Sequence, residues 1–234
     1  MPLAARFLPG RIVIQLFHVS KYYEGRLALS DVNLHIQKGE FVLLMGASGA
    51  GKTTLLKLLF GTERPDEGQI LVQTRNVARL TPSEVPYLRR TMGFVFQDFR
   101  LLPKKTVFDN VAMPLLVQGI SHHDIRKKVL DTLKAVGVEH RKESRPAMLS
   151  AGEQQRVCIA RAVVNGPIVL LADEPTGNMD PQLAGEIIEL FKLINARGTT
   201  VIIATHNRQV VDQVKRRVVI LNQGKIISDD GAGR

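Results

Sequence analysis

The stretch Phe41-Val42-Leu43-Leu44-Met45-Gly46-Ala47-Ser48-Gly49-Ala50-Gly51-Lys52-Thr53-Thr54 decides the fold. Its five leading apolar residues predict a strand buried on both faces, and the next eight have the spacing G-x-x-x-x-G-K-S/T. Glycines 46, 49 and 51 let the chain curl so that successive N–H groups point at a phosphate. The helix predicted from Lys52 to Phe60 adds the positive end of its dipole there. In this pattern Lys52 reaches β- and γ-phosphates and the Thr53 hydroxyl ligates Mg²⁺, with Gly46, Ala47, Ser48, Gly49, Ala50, Gly51 and Thr54 completing the phosphate-binding set.

Residues 11–19 alternate Ile12, Ile14 and Leu16 with less apolar neighbours, and 34–41 read as a second strand broken at Lys38-Gly39, so an antiparallel β edge precedes the loop. After the loop, Gly61 caps the helix, Pro65-Asp66-Glu67-Gly68 turns into a strand at 69–72, and 92–96 is another strand. The pattern then changes to helix. Thr106 with Asp109, Ser121 with Asp124 and Ser150 with Glu153 are N-cap signals with an acid three residues on, which makes 98–165 a helical insertion. The sheet resumes at 168–173, a helix runs over 182–196, and 200–205 is again apolar at nearly every position. The hairpin 218–227, turning at Gln223-Gly224, closes the chain. These elements predict an α/β fold with a mainly parallel core sheet, an antiparallel β edge and a helical insertion. One domain spans 11–234, with its core at about 11–97 and 166–234, a helical subdomain at about 98–165 and a short tail at 1–10.

Lys and Arg total 32 against 22 acidic residues, a net charge of +10 that attracts nucleic acid, anionic lipid or polyphosphate. The cations are dispersed in small clusters, Arg89-Arg90, Arg126-Lys127-Lys128 and Lys215-Arg216-Arg217, without interleaved aromatics or any Trp, so no nucleic-acid partner is expected. No apolar run approaches the ~20 residues that span a bilayer, and 1–10 lacks the apolar core of a secretory signal. The single Cys158, set among apolar residues of a predicted helix, reads as a buried reduced thiol and favours the cytoplasm.

Asp173-Glu174 ends the apolar strand at 168–172. In a parallel sheet it reaches the same edge as the phosphate loop, with Asp173 placed to hold Mg²⁺ through water and Glu174 to polarise the attacking water. Leu149-Ser150-Ala151-Gly152-Glu153-Gln154-Gln155 is a second helix N-terminus where Ser150, the Gly152 N–H and the capping Glu153 could meet an anion. One ATP does not need two such sites, unless each belongs to a different copy of a twofold dimer.

The order of phosphate loop, Phe96-Gln97-Asp98, 149–155, 170–176, Asn178-Met179-Asp180 and Thr205-His206 resembles the ATP-binding-cassette ATPases over about residues 11–227. Within them, 84–90, 96–102, 106–112 and 152–157 are similar to the FtsE branch of bacterial cell-division ATP-binding proteins. Lipoprotein-releasing and macrolide-exporter ATPases share 172–178 and match more loosely. The resemblance implies an ATPase that uses Mg²⁺, forms a homodimer on ATP and works with an FtsX-like transmembrane subunit. It also implies a peripheral seat on the cytoplasmic face of the inner membrane and a role in septal peptidoglycan remodelling. By position it implies that Tyr23 stacks on adenine, with Tyr22 the neighbouring candidate. It further implies that Gln97 links Mg²⁺ to the membrane-partner groove, that Asp180 contacts the opposite subunit and that His206 holds the γ-phosphate.

A soluble nucleic-acid ATPase of the same fold would carry a long coiled coil before the signature, and the ~95 residues present leave no room for sustained heptads. A nucleotide kinase or GTPase leaves 149–155 unexplained. Two residues depart from the family pattern. Ala151 replaces the first signature glycine, at about 1 kcal/mol if the backbone there needs a positive φ, and Asn207 stands where relatives carry an acid. Phe99, Leu101, Leu102 and Val107, rimmed by Arg100, Lys104 and Lys105, are expected to form an exposed apolar docking cluster for the membrane partner.

Overall fold

Strands that are apolar along their whole length need cover on both sides, and three of them form the centre of the molecule. The computed structural model describes residues 12–177 and 179–231, so the tail at 1–10 and Asn178 lie outside the described residues. In chain order the elements are β1 (Ile12–Tyr23), β2 (Arg26–Gln37), β3 (Phe41–Met45), α1 (Lys52–Leu59), β4 (Glu67–Val72) and β5 (Arg75–Asn76). There follow α2 (Val85–Arg90), β6 (Met92–Val95), α3 (Val107–Val117), α4 (His122–Ala135) and α5 (Ala151–Val163). The chain ends with β7 (Val169–Asp173), α6 (Pro181–Ala196), β8 (Thr200–Thr205), α7 (Arg208–Val214), β9 (Arg217–Asn222) and β10 (Lys225–Asp229).

Two sheets result. One is antiparallel in the order β2-β1-β4-β5, and the other runs β10-β9-β3-β8-β7-β6 with every pair parallel except β10 with β9. Alternate side chains of the buried strands serve two separate cores. Val42, Leu44, Val169, Leu171, Ile202 and Ala204 pack with α1 and the antiparallel sheet. Phe41, Leu43, Leu170, Ala172, Val201 and Ile203 pack with α3, α4, α5, α6 and α7. The two-residue period of a strand thus divides one apolar run between two layers.

The predicted N-caps hold. Thr106 accepts from the Asp109 N–H and Ser150 from the Glu153 N–H, each acid returning a bond to the cap's own N–H, while Ser121 accepts from the Asp124 N–H. Gly61 ends α1 at φ 66, and the N–H groups of Gly61 and Thr62 close the last turn on the carbonyls of Leu58 and Lys57. The strand read at 34–41 is instead the end of β2 and the start of β3. Its first half, from Arg26, escaped the period-two reading because a bulge at Asp31 (φ 50) shifts the apolar phase from Leu29 to Val32. A matching irregularity in β1 puts His18 at φ 49, and its Nδ1 lies 2.7 Å from Asp31 Oδ1.

On β6, Gly93 lets the strand lie directly on α5, since a Cβ there would run into the Ala162 carbonyl and stand 2.9 Å from Leu170 Cδ1. Gly93→Ala should therefore pry α5 from the sheet and cost about 1–3 kcal/mol in urea denaturation. An unchanged midpoint would mean that the contact yields without strain.

Candidate active site

Strand order assembles the site. β3, β8, β7 and β6 lie side by side and parallel, so Gly46, His206, Asp173-Glu174 and Gln97 all leave the sheet at one edge. In register, Met45 faces Thr205 and Ala204 faces Asp173.

The loop between β3 and α1 has the form the sequence predicts. Gly51 is the N-cap of α1 in the left-handed region at φ 106, and a Cβ there would stand 2.6 Å from the Ala28 carbonyl oxygen. A Cβ at Gly46 would strike the Leu221 carbonyl. Among the described residues, the N–H groups of Ser48, Gly49, Gly51, Lys52, Thr53 and Thr54 find no acceptor, which suits a polyanion. Lys52 is only 6% exposed; its Nζ donates to the carbonyls of Gly46 at 2.8 Å and Ala47 at 3.1 Å and stands 3.4 Å from Glu174 Oε1.

Glu174 adopts φ 46, a left-handed conformation that side chains disfavour, while its N–H donates to the Ala204 carbonyl. Its Oε1 lies 2.9 Å from His206 Nδ1, and its Oε2 accepts the His206 N–H at 3.4 Å. Asp173 is buried and bonded to the Thr53 hydroxyl, yet its Oδ1 has no hydrogen-bond partner. Burial raises the pKa of its carboxyl, and the Thr53 bond works the other way. An unpartnered buried carboxylate oxygen beside a threonine hydroxyl fits a divalent cation. The described residues contain no group of three or more His, Cys, Asp or Glu able to hold a metal, so such a cation would also need water and phosphate oxygens.

Ser48, Gly49, Gly51, Lys52, Thr53, Thr54, Gln97, Glu174 and His206 line a cleft of about 260 Å³ together with Ala28, a strand alanine that nothing in the sequence marks. A larger cleft of about 890 Å³ lies at the opposite ends of the strands. Of the cations lining it, Arg217 is already bound to Glu40 at 2.9 Å and Asp229 at 2.7 Å, and the phosphate loop lies elsewhere, so chemistry rather than volume identifies the site.

Tyr23 points its hydroxyl at Glu63 and bonds Thr54 of α1, and burial with the Glu63 carboxylate pushes its phenol up to about 12. Tyr22 is engaged through its main chain, its N–H donating to Asp66. None of Ser150, Gly152, Glu153 and Asp180 lines the cleft of its own chain. Glu153 is committed to the start of α5, accepting from the Ser150 N–H and from Arg141 Nε at 2.7 Å, which together hold its carboxyl down at about 2. A Cβ on Gly152 would press on Leu183 of α6, and Asp180 caps α6 by accepting the Leu183 N–H.

Two expectations need correction, and one departure from the family pattern gains a role. Ala151 is the first residue of α5 and has no positive φ, so the strain foreseen for it does not arise. Val107 is fully buried, and Phe99 and Leu101 pack half-buried on the helical core, which leaves Leu102 as the exposed member of the foreseen cluster. Asn207, unexplained in sequence, caps α7 by accepting the Gln209 N–H.

A glycine-cradled polyanion site facing a buried aspartate, a glutamate and a histidine defines a P-loop nucleoside triphosphatase. The family model described as ABC transporter matches residues 29–177, and the chain belongs to that family of ATP-binding, ATP-hydrolysing cassettes. It is 46% identical over 222 residues to the cell division ATP-binding protein FtsE of Bacillus subtilis, covering 94% of this chain and 97% of that one. It is 49% identical over 215 residues to the FtsE of Escherichia coli K12, covering 92% and 97%. The cassette MJ0796, solved as a dimer in a post-hydrolysis state with ADP and Pi, superposes with a TM-score of 0.85 at 36% identity over 93% of this chain and 97% of that one.

Removing the loop cation should be felt in binding. Lys52→Ala is expected to weaken ATP by about 1.5–3 kcal/mol, the value of a charge-assisted contact, in a fluorescent-nucleotide titration. Equal dissociation constants would contradict the loop's role.

Proposed function

We propose that this chain is the ATPase subunit of a membrane complex that acts in bacterial cell division, closing as a homodimer around ATP and moving an FtsX-like transmembrane subunit that regulates septal peptidoglycan remodelling. The observation that carries the chemical part is the Glu174 carboxylate, held beside the phosphate loop by His206 and Lys52. Glu174 takes the proton of the attacking water, Lys52 and His206 hold the terminal phosphate, and Tyr23 stacks on adenine with the ring face that Lys21 leaves open. Thr53, Asp173 and Gln97 would hold Mg²⁺, which supplies positive charge against the phosphate oxygens.

The biological part is supported by the cell-division names of relatives at 46% and 49% identity. Dimerisation is supported by the dimeric MJ0796 cassette and by Ser150 and Gly152, which lie outside their own chain's cleft and suit the nucleotide of a second copy. A peripheral seat on the cytoplasmic face, reached through the partner, belongs to this reading, and no helix of the described residues is long and apolar enough to cross a membrane.

Glu174→Gln should bind ATP, lose at least about 10²-fold in turnover and accumulate as a dimer in size-exclusion chromatography. Near-normal steady-state hydrolysis would remove Glu174 from the role. The shared-site arrangement has its own test. Lys52→Ala chains mixed with Ser150→Arg chains form one composite site with both halves intact, so ATP-dependent dimerisation should partly return although each variant alone is defective. A covalently tethered pair that stays open would rule the arrangement out.

A further inference from the structure

The segment 98–105 joins the end of β6, where Gln97 leaves the sheet, to the start of α3. Two consecutive residues in it, Phe99 (φ 57) and Arg100 (φ 49), are left-handed although neither is glycine. One side chain receives both of their carbonyls. Arg161 of α5 donates from Nη1 to the Arg100 oxygen at 2.6 Å and from Nη2 to the Phe99 oxygen at 2.8 Å, and Cys158, one helical turn earlier, donates its S–H to the same Phe99 oxygen at 3.2 Å. The planar fork of a guanidinium suits two neighbouring acceptors, which a lysine ammonium cannot match.

Arg161 is half-buried, burial lowers its pKa, and among the described residues it makes no ion pair with a carboxylate. A desolvated cation without a counter-ion is unfavourable unless its hydrogen bonds are made, and here the two carbonyls make them. The other end of the segment is gripped from α3. Fully buried Asn110 accepts the Leu102 N–H at 2.7 Å and donates to the Leu102 and Thr106 carbonyls. Between these anchors the Arg100 side chain lies 4.3 Å over the Phe96 ring and pairs with Asp98. Gln97 itself has no hydrogen-bond partner among the described residues, so its place is inherited from its neighbours.

We propose that Arg161 is a positioning residue for hydrolysis: it clamps the left-handed pair Phe99-Arg100 onto α5 and so fixes Gln97 against the nucleotide. The inference rests on the reading of Gln97 as part of the site. Arg161 sits eleven residues beyond Ser150, about 16 Å along one rigid helix. α5 thus carries the second anion-binding turn at its start and grips the Gln97 segment near its end, and a tilt of the helix moves both.

The chain contains no Trp, so the exposed position in Leu102→Trp gives a single fluorescent reporter of the segment. In that background Arg161→Lys, which keeps the charge and loses the fork, should leave the ATP dissociation constant within twofold. It should lower kcat at least tenfold and raise acrylamide quenching of the indole at least twofold. Adding Arg100→Gly, which accepts a positive φ without steric cost, should restore most of the lost kcat. Unchanged kcat and quenching in Arg161→Lys would overturn the proposal. So would parallel losses of affinity, kcat and melting temperature without rescue by Arg100→Gly, the pattern of a merely structural residue. Gln97→Ala separates the underlying reading: if it hydrolyses at the parental rate while Arg161→Lys loosens the indole, the clamp stands and the positioning role fails with the Gln97 assignment.

Discussion

A strand buried on both faces cannot carry a charge until it ends, and the molecule is built on that constraint. β3, β7 and β8 are apolar almost throughout because one set of alternate side chains faces α1 and the antiparallel sheet while the other faces the helices. Ionisable groups are therefore pushed to the strand ends, and parallel pairing brings those ends to one edge. Lys52, Asp173, Glu174 and His206 meet for this reason, although 154 positions separate the first from the last (206 − 52). The adjacency β3-β8-β7 also sets the composition of the site, since the loop and the two carboxylates flank the histidine-bearing strand.

Much of this was legible in the chain because its signals are local. The phosphate loop, the N-caps at Thr106, Ser121 and Ser150 and the turn at Gln223-Gly224 each depend on a few neighbouring residues, and the parallel edge then follows for Asp173-Glu174. What escaped depends on contacts between distant segments. The first half of β2 was lost to a bulge whose partner irregularity lies in β1. Exposure of Phe99, Leu101 and Val107 could not be judged without the helices that cover them. Asp180 and Asn207 each cap a helix, and the Asp180-Pro181 pair could have signalled the first cap, as an N-cap followed by proline at the start of the helix. Ala28 is beyond such reasoning: it joins the cleft wall through the fold, which brings Gly51 close to its carbonyl.

Among the described residues, three of the nine left-handed residues other than glycine lie where the chain turns a group toward the nucleotide cleft or away from it. Glu174 turns at the end of β7 to bring its carboxylate back over the loop, and Phe99-Arg100 turn just beyond Gln97. Each is held by bonds from a neighbouring element, Glu174 by the Ala204 carbonyl and the pair by Arg161. Such local strain persists only inside a framework that overdetermines it, and here the framework is the all-apolar sheet on one side and α5 on the other.

Burial of Cys158 has a practical side. Its thiol faces the Phe99 carbonyl inside the helical layer, and desolvation pushes its pKa up to about 12, so at neutral pH it offers almost no thiolate to oxidants or alkylating reagents. The chain is thus a quiet background for maleimide chemistry: a cysteine placed at a surface position can carry a spin label or a dye without removal of the native one.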